Sequence, residues 1–134
     1  MTQSPLSTVG QFSKALGEKD MERACALLHH DLVVHEAGGL PHSGEYHGPQ
    51  GFRELLAKMN ESMELTAGPV TRDCLSHDTV LSRFRLTFTA RTSGESVEMG
   101  LVEIYKVQGG LIIELDVYYK DPSAVTALLA RSGL

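Results

Sequence analysis

The chain contains no tryptophan, only two cysteines, and few basic residues: 12 Lys and Arg against 17 Asp and Glu, for a net charge of −5. No run of Lys or Arg reaches three, so a phosphate-binding face has nothing to be built from and nucleic acid is not an expected partner. No uninterrupted apolar run exceeds a few residues, which leaves no segment able to span a membrane. Cys25 and Cys74 sit on separate elements with no CxxC spacing; they are expected as buried thiols in a reducing compartment. Residues 1–5 lack the basic start and apolar middle of a signal peptide, so the expected location is cytoplasmic. GxGxxG, P-loop and Ser-His-Asp patterns are missing, which removes support for nucleotide, phosphoryl or acyl-transfer chemistry. Repeats, linkers and low-complexity tracts are missing too. The 134 residues therefore read as one domain, 1–134, with a single core.

What is present divides by periodicity. Leu6, Val9, Phe12 and Leu16 form one apolar helical stripe, ended by Gly17. Asp20 is placed to cap a second short helix burying Met21, Ala24 and Leu28. Residues 32–36 form a short strand, and a loop broken by glycine and proline leads to Gly48-Pro49, where a third helix opens. Phe52, Leu55, Leu56, Met59 and Met63 give that helix the strongest apolar face in the chain. From Glu64 the period becomes two. Strands are predicted over 64–76 (bent at Gly68-Pro69), 79–91, 96–107 and 111–119, with Gly109-Gly110 as a two-residue turn. Asp121-Pro122 starts a last short helix. Helices followed by an antiparallel meander make an α+β domain, with helices against one face of a curved sheet.

Two places carry the chemistry. The strand Leu32-Val33-Val34-His35-Glu36 ends on a carboxylate, which is costly at the edge of a core unless paired or functional. In the final hairpin, pairing Gln108 with Leu111 sets Glu103 opposite Asp116 and Tyr105 opposite Glu114. One face then carries Met99, Leu101, Glu103, Tyr105, Ile112, Glu114, Asp116 and Tyr118, and reads as a pocket wall. The other carries Gly100, Val102, Ile104, Leu111, Ile113, Leu115, Val117 and Tyr119, and reads as a dimer surface. A one-residue slip of the turn would undo the Glu103–Asp116 pairing. If the pairing forms, two carboxylates within ~5 Å do not readily both ionise, and the pair supplies an acid and a base at neutral pH.

His29, His30, His35, His42 and His47 crowd one region, yet none forms an HxxxH or HExxH pair. His29 and His30 are adjacent at a helix end and point different ways. No metal and no cofactor is expected. His35 alternates away from Glu36 on its strand.

The run Val34-His35-Glu36 through Leu40-Pro41-His42-Ser43-Gly44-Glu45-Tyr46-His47-Gly48, then Phe52-Arg53-Glu54-Leu55, and the hairpin Val102-Glu103-Ile104-Tyr105-Lys106-Val107 with Ile112-Ile113-Glu114-Leu115-Asp116-Val117-Tyr118-Tyr119 carry a family resemblance. In this order, over nearly the whole chain, they resemble the SnoaL-like and ketosteroid-isomerase-like branch of the nuclear transport factor 2 (NTF2-like) superfamily. The resemblance implies a cone-shaped domain, a strongly bent sheet around helices enclosing an apolar pocket, and a homodimer through the convex sheet face. It also implies roles. Glu36 matches the general base of the isomerases at the end of the first strand. Glu103 matches their neutral carboxylic acid, which holds an enolate oxygen. Both are Asp in those enzymes, so each side chain here is one methylene longer. Phe12 stands where the isomerases place an oxyanion tyrosine and has no hydroxyl, which counts against steroid isomerisation as such.

SnoaL-type cyclases use an acid on the last strand, matched by Asp116, with a histidine from a neighbouring strand. No histidine follows residue 78, so that partner must be His35, His42, His47 or His77. Epoxide-hydrolase-like members use an Asp–Arg–Asp set, for which Arg83 and Arg85 are the strand arginines available. The expected ligand is a small apolar molecule. It is contacted by His42 and Tyr46 on the loop over the cone's mouth and by Phe12, Phe52, Met59, Met63, Phe84, Leu101, Tyr105 and Tyr118 along the walls.

The expected function is a cofactor-free isomerase, cyclase or dehydratase acting on a small apolar carbonyl compound, with Glu36 as base and Glu103 and Asp116 as the acid side. A non-catalytic small-molecule-binding or dimerisation module on the same fold is the alternative, and epoxide-hydrolase-like water activation comes third.

Overall fold

A computed structural model describes residues 3–133. Ser4 caps helix α1 (Pro5–Gly17): its hydroxyl accepts from the Ser7 amide at 3.1 Å, and Pro5 occupies the first turn, where its missing N–H costs nothing. The buried stripe of α1 is Thr8, Val9, Phe12 and Ala15, while Leu6 is 41% exposed at the outer end. Asp20 caps α2 (Met21–Cys25) by accepting from the Arg23 amide. That helix is shorter than its apolar pattern suggests. Leu28, expected on it, already begins strand β1 (Leu28–Glu36).

After β1 the loop returns as a short strand, β2 (Gly44–His47), antiparallel to β1, and not as the continuous loop expected from its glycines. Helix α3 (Gly48–Ser62) buries Gly51, Phe52, Leu55 and Met59. The Gly68-Pro69 break divides the next stretch into β3 (Met63–Ala67) and β4 (Thr71–Cys74), both antiparallel to β5 (Thr79–Ala90). β6 (Ser96–Gln108) and β7 (Leu111–Tyr119) complete the sheet, and α4 (Pro122–Arg131) buries Val125, Leu128 and Leu129 against β5 and β6.

The seven strands form one strongly curled half-barrel in the order β2-β1-β7-β6-β5-β3, with β4 also on β5; only the β1–β7 pairing is parallel. Helices α1 and α3 pack on the concave side, α1 against β4 to β7 and α3 against β1 to β3. Among the described residues no helix is long and apolar enough to cross a membrane. Both cysteines are free, but neither is buried: Cys25 is half-buried and Cys74 exposed.

The hairpin between β6 and β7 corrects the sequence reading. Gly109 and Gly110 make the two-residue turn, both with positive φ, and Gln108 pairs with Leu111 and Val107 with Ile112 as expected. A bulge then inserts Ile113, so Lys106 pairs with Glu114, Ile104 with Asp116 and Glu103 with Val117. The inner face of β7 therefore changes from Ile112 to Leu115, Val117 and Tyr119, all buried. Glu114, Asp116 and Tyr118 turn outward. Without the extra residue the strand would bury two carboxylates to keep Ile112 inside, a far larger cost than one lost ladder position.

Candidate functional site

Between α1, α3 and the concave face lies a cavity of about 570 Å³. Of the walls expected from the sequence, Phe12, Phe52, Met59, Phe84, Leu101 and Tyr105 line it. Phe12 packs on Phe52 with ring centroids 5.4 Å apart and meets Tyr105 edge-on at 6.1 Å, so an aromatic cluster lines the α1 side of the cavity.

Glu36 ends β1 at this wall, with its side chain only 3% exposed. The parallel register that sets Val34 beside Leu115 and His35 beside Asp116 brings Glu36 level with Val117, on the inner face. Two groups the sequence does not place together stand at its carboxylate, one bonded to it directly and one through the other. The Tyr119 hydroxyl donates to Oε2 at 3.0 Å, and His42 Nε2 lies 3.3 Å from the same oxygen. His42 Nε2 also sits 2.9 Å from the Tyr119 oxygen. A phenol has one proton. With that proton given to Glu36, Nε2 of His42 must be the donor to Tyr119, which assigns the imidazole its Nε2–H form. Oε2 thus accepts from Tyr119, while Oε1 takes no side-chain hydrogen bond among the described residues and faces incoming groups unencumbered. Burial, then the neighbouring Glu36 carboxylate, pushes the Tyr119 hydroxyl well above the ordinary tyrosine range and keeps it a donor.

Glu103 stands on the same inner row two strands away, across Val117. Burial raises its pKa to about 7. The Tyr105 hydroxyl, donating at 2.7 Å, works the other way, while the Glu36 charge pushes it further up and Arg72 pulls it down. Tyr105 itself is raised, by burial first and by the Glu103 charge second. Two carboxyls with different partners on one apolar cavity are the combination that separates an acid from a base.

Other expected contacts fall elsewhere. Asp116 does not face Glu103: the bulge turns it to the outer side, where it takes a hydrogen bond from Tyr118 at 3.0 Å. Tyr118 is 52% exposed there and does not line the cavity. His42 is not a contact at the mouth; it is 2% exposed behind Glu36. Tyr46 is half-buried beside it and donates to the His42 carbonyl at 2.9 Å, bracing the loop and not lining the cavity. Met63 is 1% exposed in the core outside the cavity.

His35 faces outward as expected, between Glu45 at 3.4 Å and Glu114 at 3.6 Å. His29 and His30 do not point apart. They lie in the irregular start of β1, and their rings stack with centroids 4.4 Å apart. With Asp31 they bring donor atoms within 4.8 Å of one another on the surface, but His29 Nδ1 already accepts the Asp31 amide and His30 faces the Asp31 carboxylate at 3.3 Å.

Among the cavity residues that sequence reasoning missed are Tyr119, Arg72 and Ser82. Tyr119 was assigned to the opposite face with Leu115 and Val117, although the unbroken apolar alternation of those three against Glu114, Asp116 and Tyr118 is itself the signal of an inward row. Arg72 and Ser82 also line the cavity, Ser82 at the polar gap in the inward row Val80, Phe84, Leu86 and Phe88 of β5, and Arg72 on the short polar strand β4. The polar gap at Ser82 is the one mark the sequence offers; Arg72 leaves none.

A family model described as a SnoaL-like domain matches residues 9–115. No curated protein sequence matches the chain significantly. Among solved structures, an NTF2-like protein from Burkholderia thailandensis E264 is similar over 99% of each chain, at 20% identity and a TM-score of 0.81. A candidate polyketide cyclase from Xanthomonas campestris pv. campestris is similar over 92% of this chain and 96% of its own, at 16% identity and a TM-score of 0.80. TerC, co-crystallised with polyporic acid, is similar over 94% of this chain and 98% of its own, at 16% identity and a TM-score of 0.77. Likeness at these identities concerns the fold, which is NTF2-like.

Proposed function

Because this chain belongs to the SnoaL-like domain family, we propose that it is an enzyme that moves a proton on a small apolar carbonyl compound, as an isomerase, cyclase or dehydratase. The observation that carries this reading is one carboxylate, Glu36, clamped by Tyr119 and His42 at the wall of an apolar cavity whose second carboxyl, Glu103, has a pKa of about 7. Glu36 Oε1 takes the proton from the carbon next to the carbonyl. The C–H pair becomes the new C=C bond, and the carbonyl electrons move to oxygen. Glu103 in its acid form, braced by Tyr105, donates a hydrogen bond or its proton to that oxygen. Return of the proton from Glu36 to another carbon, with Glu103 taking back any proton it gave the oxygen, completes an isomerisation; attack of the enolate carbon on a second carbonyl, whose oxygen then takes the proton held by Glu36, completes a cyclisation. The similar fold of candidate polyketide cyclases supports the second of these outcomes. Asp116 has no part in it.

The test is solvent deuterium exchange into apolar cyclic ketones, 2-tetralone among them. Glu36→Gln is expected to lower the protein-dependent rate by about 10²–10⁴-fold, the usual contribution of a positioned general base. Asp116→Asn is expected to leave it unchanged. Exchange that survives Glu36→Gln at the wild-type rate refutes the proposal.

The proposed partner besides the substrate is a second copy of the chain, through the outer face of β5 to β7. The bulge makes that face more polar than the sequence reading had it, but Leu81, Val102 and Ile104 remain on it beside Tyr118. Light scattering at micromolar concentration should return twice the 14.6 kDa chain mass; a monomer mass would remove the dimer.

A further inference from the structure

Arg72, Ser82 and Glu103 are direct neighbours on β4, β5 and β6, since Arg72 pairs with Ser82 and Ser82 with Glu103. All three line the cavity. Ser82 is 2% exposed, and its hydroxyl has no hydrogen-bond partner; the same is true of the buried Nε of Arg72. Among the described residues these are the only two buried side-chain polar atoms left unsatisfied. Four other arginines, Arg23, Arg85, Arg91 and Arg131, sit in ion pairs with glutamates at the surface. Arg72 has no carboxylate within 4 Å among the described residues. Glu103, two pairings away on β6, accepts at Oε1 from Tyr105.

Buried donors are paired in nearly every native protein, and a guanidinium is the least tolerant of neglect. Two unsatisfied donors on adjacent strands, opening into the same cavity, call for an acceptor that arrives from outside. A guanidinium edge with a hydroxyl beside it matches a carboxylate or an enolate oxygen better than a neutral carbonyl. The site lies four strands from Glu36 on the inner row, roughly 19 Å along the sheet, and the curl brings the two ends toward each other across the aromatic wall. A ligand of the size such cavities take reaches from one to the other.

We propose that Arg72 and Ser82 anchor an anionic oxygen, a carboxylate or enolate, at one end of an otherwise apolar ligand whose other end lies under Glu36. This rests on the proposed reading of the cavity as a substrate site, and it narrows the substrate class to acids and enols. Arg72 is a specificity-determining residue in this scheme and takes no proton.

The test needs no turnover. Titration calorimetry of the full chain with 2-naphthoate and with 2-acetylnaphthalene, its neutral analogue of similar shape, compares wild type with Arg72→Gln, Arg72→Lys and Ser82→Ala. Wild type is expected to prefer the naphthoate by about tenfold or more. Arg72→Gln should abolish the preference while leaving the neutral ligand's affinity alone, Arg72→Lys should keep part of it, and Ser82→Ala should reduce it. Thermal unfolding separates anchoring from structure. Removing a half-buried guanidinium whose buried Nε has no partner should leave the melting temperature unchanged or raised, whereas a structural arginine would lower it. Equal affinity for the two ligands, no naphthoate binding at about 1 mM, or a preference that survives Arg72→Gln overturns the proposal; if Arg72→Gln does not fold, an undiminished preference in Ser82→Ala does so. If deuterium exchange ignores Glu36 while the naphthoate preference disappears with Arg72, the proton-transfer reading falls and the anchor stands.

Discussion

Replacing Glu103 with glutamine tests the cavity through stability alone, because the amide keeps an oxygen for Tyr105 and loses the titration. In the unfolded chain this carboxyl titrates near 4.5, and in the cavity near 7. Below pH 4.5 both states hold the proton, and Glu103 adds nothing that depends on pH. Between those values the unfolded chain ionises first, so wild-type stability falls as pH rises, by about 1.4 kcal/mol per pH unit. Above pH 7 the loss levels off at about 3 kcal/mol, with the opposing effects of Tyr105 and Arg72 already contained in it. Glu103→Gln does not suffer this loss. The stability of the variant relative to wild type should therefore rise by about 3 kcal/mol between pH 4.5 and pH 8.5. Urea unfolding followed by far-ultraviolet circular dichroism measures it, since the chain has no tryptophan to report on. A difference that stays flat across the range, or that favours wild type at alkaline pH, refutes a buried, raised Glu103. The same titration gives the exchange reaction a falling limb above pH 7, as the acid form of Glu103 disappears.

Tyr119→Phe removes the hydroxyl shared by Glu36 and His42. It should cost about 1–3 kcal/mol in urea unfolding and slow ketone exchange by about 10–100-fold; an unchanged rate would mean that Tyr119 does not position the base. Deleting Ile113 removes the bulge and forces Glu114 and Asp116 inward. The deletion should cost more than about 3 kcal/mol and abolish cooperative melting, whereas Ile113→Gly, which keeps the extra residue, should still melt cooperatively. A deletion variant as stable as wild type would refute the account of the register.

By itself the sequence determined the α+β order of elements, the cap at Asp20, the Gly109-Gly110 turn and the place of Glu36 at a strand end, because each rests on local periodicity, on a capping side chain or on a backbone only glycine or proline suits. Phe12, Phe52 and Met59 were legible as cavity wall because their helical spacing admits one inward face. The loop from 37 to 47 was not legible. Its strand β2 and the burial of His42 depend on β1 offering an unpaired edge and on Tyr119 arriving from 77 residues away. Only the tertiary structure decided which acid joins Glu36. A single inserted residue in β7 puts Val117 in place of Asp116 opposite Glu103 and brings Tyr119 inward, a register that the apolar alternation of Leu115, Val117 and Tyr119 favours but the Gly109-Gly110 turn does not specify. The choice is made by the summed burial of Ile112, Leu115 and Val117 against the cost of drying two carboxylates, which exists only once the sheet has curled around its helices.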